Sequence, residues 1–472
     1  MSSAHSGSGL NLKPSGFTPR KNRLAALFLV IAFVLAGVKI ATRPPAANFA
    51  AATQSSLVSA SAEKVASSAL PASKPPQLSP DGRFHFDADF VSSAPGRAVH
   101  AASAVELKDG GLRAVWFSGS REGAADVAIQ SAVMNPATLR WSEESTFFDR
   151  QKIQQGLWRY VKKIGNPVIA RAPDGSLMLW MVNVSLGGWA GSSITWARSV
   201  DEGASWSQAR RLVTSPFLNI STLVKGAPVF YQNGEIGLPV YHEFISKFAE
   251  ILRISPQGKM LDKTRISASQ TSLQPVLLVA DTVHAQAYMR SGTATALMMS
   301  ATEDAGKIWS GTHATAWPNP DSALAGVVTG TGQQWLALNP GTRNRETLAL
   351  LQSPAGGSFD GVTPWMVESS STPQTRLSIS DYQRVLGDEL KANGATPEQT
   401  QAYIASARRQ LCGPDTCSQE FSYPYLLQSR DGYLHLIYTW HRTRIKHVRL
   451  DPLQHRATES AVQPALSHAS IN

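Results

Sequence analysis

The sequence predicts an all-β protein, a six-bladed β-propeller with an N-terminal transmembrane anchor and a helical hairpin inserted between blades five and six. A turn-rich composition, one hairpin pattern repeated six times and one over-long interval between repeats predict it. The 472 residues include 35 Gly, 28 Pro and 12 Trp, and Gly and Pro break helix interiors while favouring turns. Apolar residues at 43% supply a core. Charged residues stand at 17%, against about 25% in ordinary domains, which excludes a coiled coil or a highly charged solvating chain. With Cys412 and Cys417 the sole cysteines, neither a disulfide-stapled mini-domain nor a four-cysteine zinc site can form.

The formal charge of +10 divides evenly rather than gathering into a basic stripe. The first 90 residues hold nine Lys/Arg against four acids, and the remainder 35 against 30. The basic stripe that nucleic acid requires is missing, so nucleic acid is not expected as a partner. Residues 1–23 read as a cytoplasmic basic tail. Leu24 to Val38 is fifteen residues without a charge. Extended to Ala41 with Lys39 snorkelling, it spans roughly 27 Å of a core about 30 Å thick. A signal-anchor over 24–41 is the expectation, and a cleaved secretory signal is the rival, because the run also has h-region length. Lys13, Arg20, Lys21 and Arg23 before the run outnumber Lys39 and Arg43 after it. That places the N-terminus inside and the bulk of the chain outside the cell membrane. Residues 42–90 read as a linker, Ala, Ser and Pro from Thr42 to about Leu78, too poor in apolar surface to offset ordering entropy.

The propeller is expected over 91–455, followed by a C-terminal tail at 456–472. Its six hairpins run over Ala102 to Trp116, Pro167 to Trp180, Pro228 to Tyr241, Pro275 to Tyr288, Gly326 to Asn339 and Pro424 to Tyr438. Asp109-Gly110, Asp174-Gly175, Asn233-Gly234 and Asp431-Gly432 supply the positive φ angles of tight turns. Starts at Pro167, Pro228 and Pro275 are 61 and 47 residues apart, room for the four strands of a blade. Between hairpins, Ser199 to Trp206 and Thr302 to Trp309 both fit S/T-x-D-x-G-x-x-W, with degenerate relatives at Ser131 to Trp141 and Ser353 to Phe359. The interval Gly326 to Pro424 is 98 residues. Within it Ser380 to Lys391 ends at Asn393-Gly394, and Thr396-Pro397-Glu398-Gln399 is a capping box opening a helix that continues over Ala402 to Leu411. A helical insert over about 370–417 follows. Cys412 and Cys417 form a disulfide in an exported chain, or remain thiols otherwise.

The two S/T-x-D-x-G-x-x-W motifs resemble the Asp-box, or BNR repeat, of the sialidase superfamily, and the resemblance covers residues about 95 to 450. The stretches "WFSGSREG", "SLGGWAGSSI", "GLPVYHEF" and "SYPYLLQSRDG" are similar to its bacterial sialidase-like branch. In a propeller the residues just after the second strand of each hairpin converge on one face. That filter selects Arg121, Glu122 and Asp126, then Asn183, Tyr241, His242 and Glu243, then Arg290, Asn339, Arg345, Trp440, His441 and Arg442. Carboxylates, a tyrosine and forked arginines on one bowl suit glycosidic cleavage beside an anionic sugar.

The resemblance implies Asp126 as general acid/base, Tyr423 as nucleophile and Glu243 as the group that takes the tyrosine's proton. A neutral nucleophile approaches an anomeric carbon beside a carboxylate without charge repulsion. Arg290 and Arg345 match the second and third arginines of the family's carboxylate-binding triad, with Arg121, Asn183 and Tyr241 as further substrate-binding candidates. His100 stands where the first arginine belongs, a titratable and weaker carboxylate ligand. The expected activity is exo-acting hydrolysis of a terminal acidic sugar from a glycan or exopolysaccharide, and the rival is a non-catalytic glycan-binding or scaffold propeller in the envelope. No cofactor or metal site is expected, since His435, His441 and His447 lack adjacent ligands in metal spacing.

Overall fold

A computed structural model describes residues 19–42, 46–50, 76–91, 94–215, 219–369 and 376–452. Residues 1–18 of the expected basic tail 1–23, the expected tail 456–472 and the linker segment 51–75 lie outside the described residues.

Six antiparallel sheets of four or five strands follow one another along the chain. Blade one spans 98–148, blade two 163–211, blade three 223–265, blade four 272–318 and blade five 325–368. Blade six combines Phe421–Gln428, Leu434–Trp440 and Arg444–Leu450 with an outer strand from far upstream, His85–Phe90, whose Ala88 pairs with Val448. Each predicted hairpin is the inner pair of strands of its blade. Gly110, Gly175, Gly234 and Gly432 take φ between 82° and 91°, and the preceding Asp or Asn caps the turn, as where Asp109 Oδ1 accepts from Gly111 N over 2.9 Å. The second strands bury Trp116, Trp180, Trp335 and Trp440 completely, and side chains of this size dominate core energetics.

The two Asp-boxes sit between the third and fourth strands of blades two and four. Ser199 Oγ accepts from Gly203 N and donates to Asp201, while Asp201 Oδ1 accepts from Ser205 N. Thr302, Asp304, Gly306 and Ile308 repeat these bonds. Each motif's tryptophan packs on the preceding blade, Trp206 against Phe147 at 5.0 Å and Trp309 within the cluster of Tyr231, Ala249 and Ile251.

The segment 42–90 is not a plain linker. Besides His85–Phe90, the short stretch 46–50 docks on blades three and four: Phe49 is buried, stacks on Tyr231 at 5.3 Å and donates its amide to Thr282 O. Isolated apolar residues within an Ala/Ser/Pro background decide this, and average composition hides them. At the N-terminus the chain is helical over Pro19–Ala41, yet among the described residues no helix is long and apolar enough to cross a membrane. The expected transmembrane span over 24–41 is therefore corrected: its uncharged core of fifteen residues falls short of the roughly 20 that a bilayer requires.

Between blades five and six run two helices, Ile379–Ala392 and Pro397–Leu411. Their buried face, including Tyr382, Leu386, Leu390, Tyr403 and Ala407, joins the blade-six cluster of Tyr438 and Trp440. Thr396 and Gln399 form a reciprocal capping box. Cys412 and Cys417 are joined in a disulfide that closes the helix end onto the strand Thr416–Cys417.

Candidate active site

One local distortion recurs in the innermost strands. Pairing register shifts between His100 and Ser103, Gly165 and Val168, Leu273 and Val276, and Ser422 and Tyr425. At each shift one residue is left-handed: Ala101 at φ 55°, Asn166 at 39°, Gln274 at 51° and Tyr423 at 53°. Such bulges re-aim a side chain, and a tyrosine in this backbone region is a strained exception that the surrounding structure must hold. Three of the four precede the proline that opens the repeat, at Pro167, Pro275 and Pro424.

These side chains join an arc of hydrogen bonds. Asn166 Nδ2 donates to Tyr241 Oη at 3.2 Å, and Gln274 Nε2 to both Tyr241 Oη and Tyr423 Oη at 3.3 Å. Arg290 Nη1 donates to Tyr423 Oη at 2.9 Å and to Gln274 Oε1 at 3.0 Å, while its Nε meets Asp321 at 2.6 Å. Arg345 lies over the Tyr423 ring at 5.6 Å and donates to Asp321 O. Glu420, buried, receives Arg442 Nε at 2.8 Å and Arg345 Nη1 at 3.4 Å. Desolvation pushes the Glu420 carboxyl up, but Arg442 and Arg345 outweigh it and hold the group below its usual range. Arg442 continues to Glu122 at 2.9 Å. Its turn is set by the inserted helices, since Tyr382 Oη bonds His441 Nδ1 at 3.0 Å.

Three further groups complete the electrostatics. Burial lifts the Glu243 carboxyl above its usual range, against the pull of Arg290 and Lys247. Asp126 is exposed on the loop that also carries Glu122. Desolvation raises its carboxyl, but the hydroxyl and amide of Ser120, each 2.9 Å away, outweigh that and hold it low. Lys225 sits where the inner strand of blade three is interrupted, fully buried, donating to Pro424 O at 3.0 Å and 5.9 Å from the Tyr423 ring centre. Burial pulls its ammonium down to about 7.

The sequence candidates thus separate. Tyr423, Arg290 and Tyr241 share the hydrogen-bonded arc, Arg345 flanks it, and Glu243 lies within electrostatic range of Arg290 and Tyr241. His100 is 2% exposed, packs against the Tyr423 ring at 4.0 Å and bonds Thr439 Oγ1. Burial and then Arg442, Arg345, Lys225 and Arg290 drive its pKa well down, so it is a neutral support for the tyrosine rather than an open cation. Asn183 is corrected to a structural role, because it is buried and its side-chain oxygen accepts from Thr195 and Ser193 inside blade two. Arg121 is exposed on the loop beside Glu122. Sequence reasoning did not assign Gln274, Lys225, Asp321 or Glu420 to the site, and it left Arg442 outside the binding set. The residue before each repeat's proline would have pointed to Gln274. No comparable signal marks the others, which act through burial and pairing.

The fold and site define a class, a six-bladed propeller whose bowl centres on a strained tyrosine flanked by arginines and paired carboxylates. The family model described as BNR repeat-like domain matches residues 110–436. The chain belongs to this BNR-repeat, sialidase-like family. Among solved structures it is similar to the Hadza microbial sialidase Hz136, with a TM-score of 0.56 at 13% identity over 76% of this chain and 66% of that one. It is similar also to a protein of unknown function from Dyadobacter fermentans, TM-score 0.56 at 11% identity over 77% and 97% of the two chains. A third is the intramolecular trans-sialidase from Ruminococcus gnavus, TM-score 0.53 at 13% identity over 79% and 97%. These likenesses concern the fold. Against curated proteins the comparison returns no match.

Proposed function

We propose that the protein is an exo-acting, sialidase-like glycoside hydrolase that releases a terminal acidic sugar from a glycan or exopolysaccharide. The observation that carries this reading is the set of three arginines, Arg290, Arg345 and Arg442, drawn around Tyr423 by Asp321 and Glu420. A substrate carboxylate can take the guanidinium forks that those carboxylates now occupy. Arg442, from blade six, supplies the third cation where blade one offers only the neutral His100. Tyr423 Oη attacks the anomeric carbon, Glu243 accepts the phenol proton, and Asp126 protonates the departing glycosidic oxygen. Water then resolves the glycosyl-tyrosine bond. Burial, which raises the Glu243 carboxyl, makes it a stronger base than an exposed glutamate.

The test is turnover of aryl α-glycosides of sialic acid, Kdo and uronic acids by wild type and Tyr423→Phe. Loss of several orders of magnitude in the variant, with its melting temperature kept, supports the reading. Equal turnover by the two removes it. The rival, a glycan-binding propeller, has one observation in its favour: Asp126 is held ionised by Ser120, a poor starting point for an acid. Binding of an acidic glycan with no turnover would select it.

The same proposal places the propeller outside the cytoplasm. The helix Pro19–Ala41 exposes Leu24, Phe28, Ile31, Phe33 and Leu35 in the length range of an export signal, and Cys412–Cys417 is a disulfide. An alkaline phosphatase fused after residue 90 is expected to be active, whereas activity of a cytoplasmic reporter fused there would reject the location.

A further inference from the structure

We infer that an aromatic and basic ledge on blade two binds the sugar units on the leaving-group side of an anionic polysaccharide; this rests on the hydrolase reading above. The helix Arg150–Leu157 ends on Trp158, whose φ of 49° and ψ of 41° are left-handed, a position that glycine usually takes. Trp158 is 95% exposed and Tyr160 59%. An indole placed in water on a strained backbone costs the folded state twice, through strain and through exposed apolar area, and stability alone gives no reason for it.

The ledge lies at the bowl end of the blade. Lys162 N donates to Val184 O at 2.7 Å, the last residue of the second strand, and Lys162 Nζ reaches Gly187 O at 3.4 Å. Lys163 Nζ stands over the Trp189 ring at 4.3 Å. The aliphatic part of Lys163 also closes on blade one: a Cβ on Gly123 would meet its Cδ at 3.3 Å. Gly123 belongs to the loop that carries Asp126, the group assigned to the leaving oxygen, so the ledge continues from the side on which the leaving group departs.

Charge selects the occupant. Arg159 alternates with Trp158 and Tyr160 along the chain and Lys162 follows them, Lys163 lies within electrostatic range of Lys162 and Arg121, and the neighbouring Glu122 is already engaged by Arg442. Aromatic faces pack on the apolar faces of pyranose rings, and interleaved cations accept carboxylates on successive units. A polyanionic chain meets both demands, and a neutral glycan leaves the cations unused.

The test uses the full-length protein in affinity gels containing polysialic acid or alginate, with vesicles of phosphatidylcholine and phosphatidylglycerol as a separate arm. Wild type is expected to be retarded by at least one polymer, and Trp158→Gly/Tyr160→Ala to bind it at least tenfold more weakly. Turnover of the small aryl glycoside should stay within twofold. Trp158→Gly alone should keep or raise the melting temperature, which separates lost binding from lost folding. Unchanged retardation of the double variant overturns the ledge. So does a wild type that ignores both polymers, and so does one that binds only vesicles, which makes the surface a lipid contact. Ledge-dependent polymer binding without any aryl glycoside turnover sustains the ledge as a polysaccharide site and overturns the hydrolase reading instead.

Discussion

Arg290 Nη1 donates to Tyr423 Oη over 2.9 Å although the two residues are 133 positions apart in the chain. The bond ties the second strand of blade four to the first strand of blade six across the bowl. It also fixes a tyrosine that an ordinary strand would turn into the sheet. The same arginine holds Asp321, so the tyrosine's orientation and the cation's charge are set by one network.

Glu420 is the carboxylate on which Arg345 and Arg442 converge. Glu420→Ala leaves two largely buried guanidiniums without their shared counter-charge and should destabilise the fold by about 3 kcal/mol. Urea unfolding reads this directly, and a loss under half a kcal/mol would show the pair to be incidental. Arg442→Met should weaken an acidic sugar relative to its amide by about tenfold, the worth of one charge-assisted hydrogen bond.

His100→Arg restores an arginine at the blade-one position but should not improve the site. The imidazole is buried against Tyr423 within reach of Arg442, Arg345, Lys225 and Arg290, and a fifth cation there meets like charges in a desolvated position. The expected outcome is a lower melting temperature and weaker turnover. Tighter sialoside binding at unchanged stability would contradict this account.

Lys225 carries a pH effect. Its ammonium is pulled down to about 7 by burial, against about 10.4 unperturbed. Below about pH 7 the lysine is charged beside Tyr423, and above it neutral. Affinity for an anionic ligand should therefore rise as pH falls through 7. Lys225→Met should abolish that step in a titration of Kd against pH, and an unchanged step would assign the titration elsewhere.

In blade six, His435 Nδ1 and His447 Nε2 lie 2.9 Å apart, and Ser429 Oγ meets His435 Nε2 at 2.8 Å. Burial drives His435 down to about 3 and holds His447 well below its usual value. Both pKa values are depressed on folding, so between about 6.5, the unperturbed value, and 3 the unfolded chain binds the extra protons. Stability should then fall as pH drops through that window. His435→Gln/His447→Gln should flatten the acid limb of a plot of unfolding free energy against pH. A limb of equal slope would place its protons on other groups.

Sequence alone determined the number of blades, because four of the six hairpins carry an Asp-Gly or Asn-Gly turn and the repeated strand pattern marks the other two: Asp109-Gly110 or Asp431-Gly432 needs no distant contact to take a positive φ. The Asp-boxes were legible for the same reason, since Asp201 and Asp304 bond backbone within four residues. Tyr423, Arg290 and Arg345 were found by position in the repeat combined with family resemblance. The tertiary structure decided what depended on long-range closure and burial. His85–Phe90 becomes the outer strand of blade six only when the ring closes, and Phe49 finds Tyr231 only once blades three and four stand side by side. Arg442 joins the bowl because the inserted helices hold its turn through Tyr382 and His441. Whether His100 is a cation or a neutral support is a matter of desolvation and of four surrounding charges, and desolvation has no period or spacing that a sequence displays.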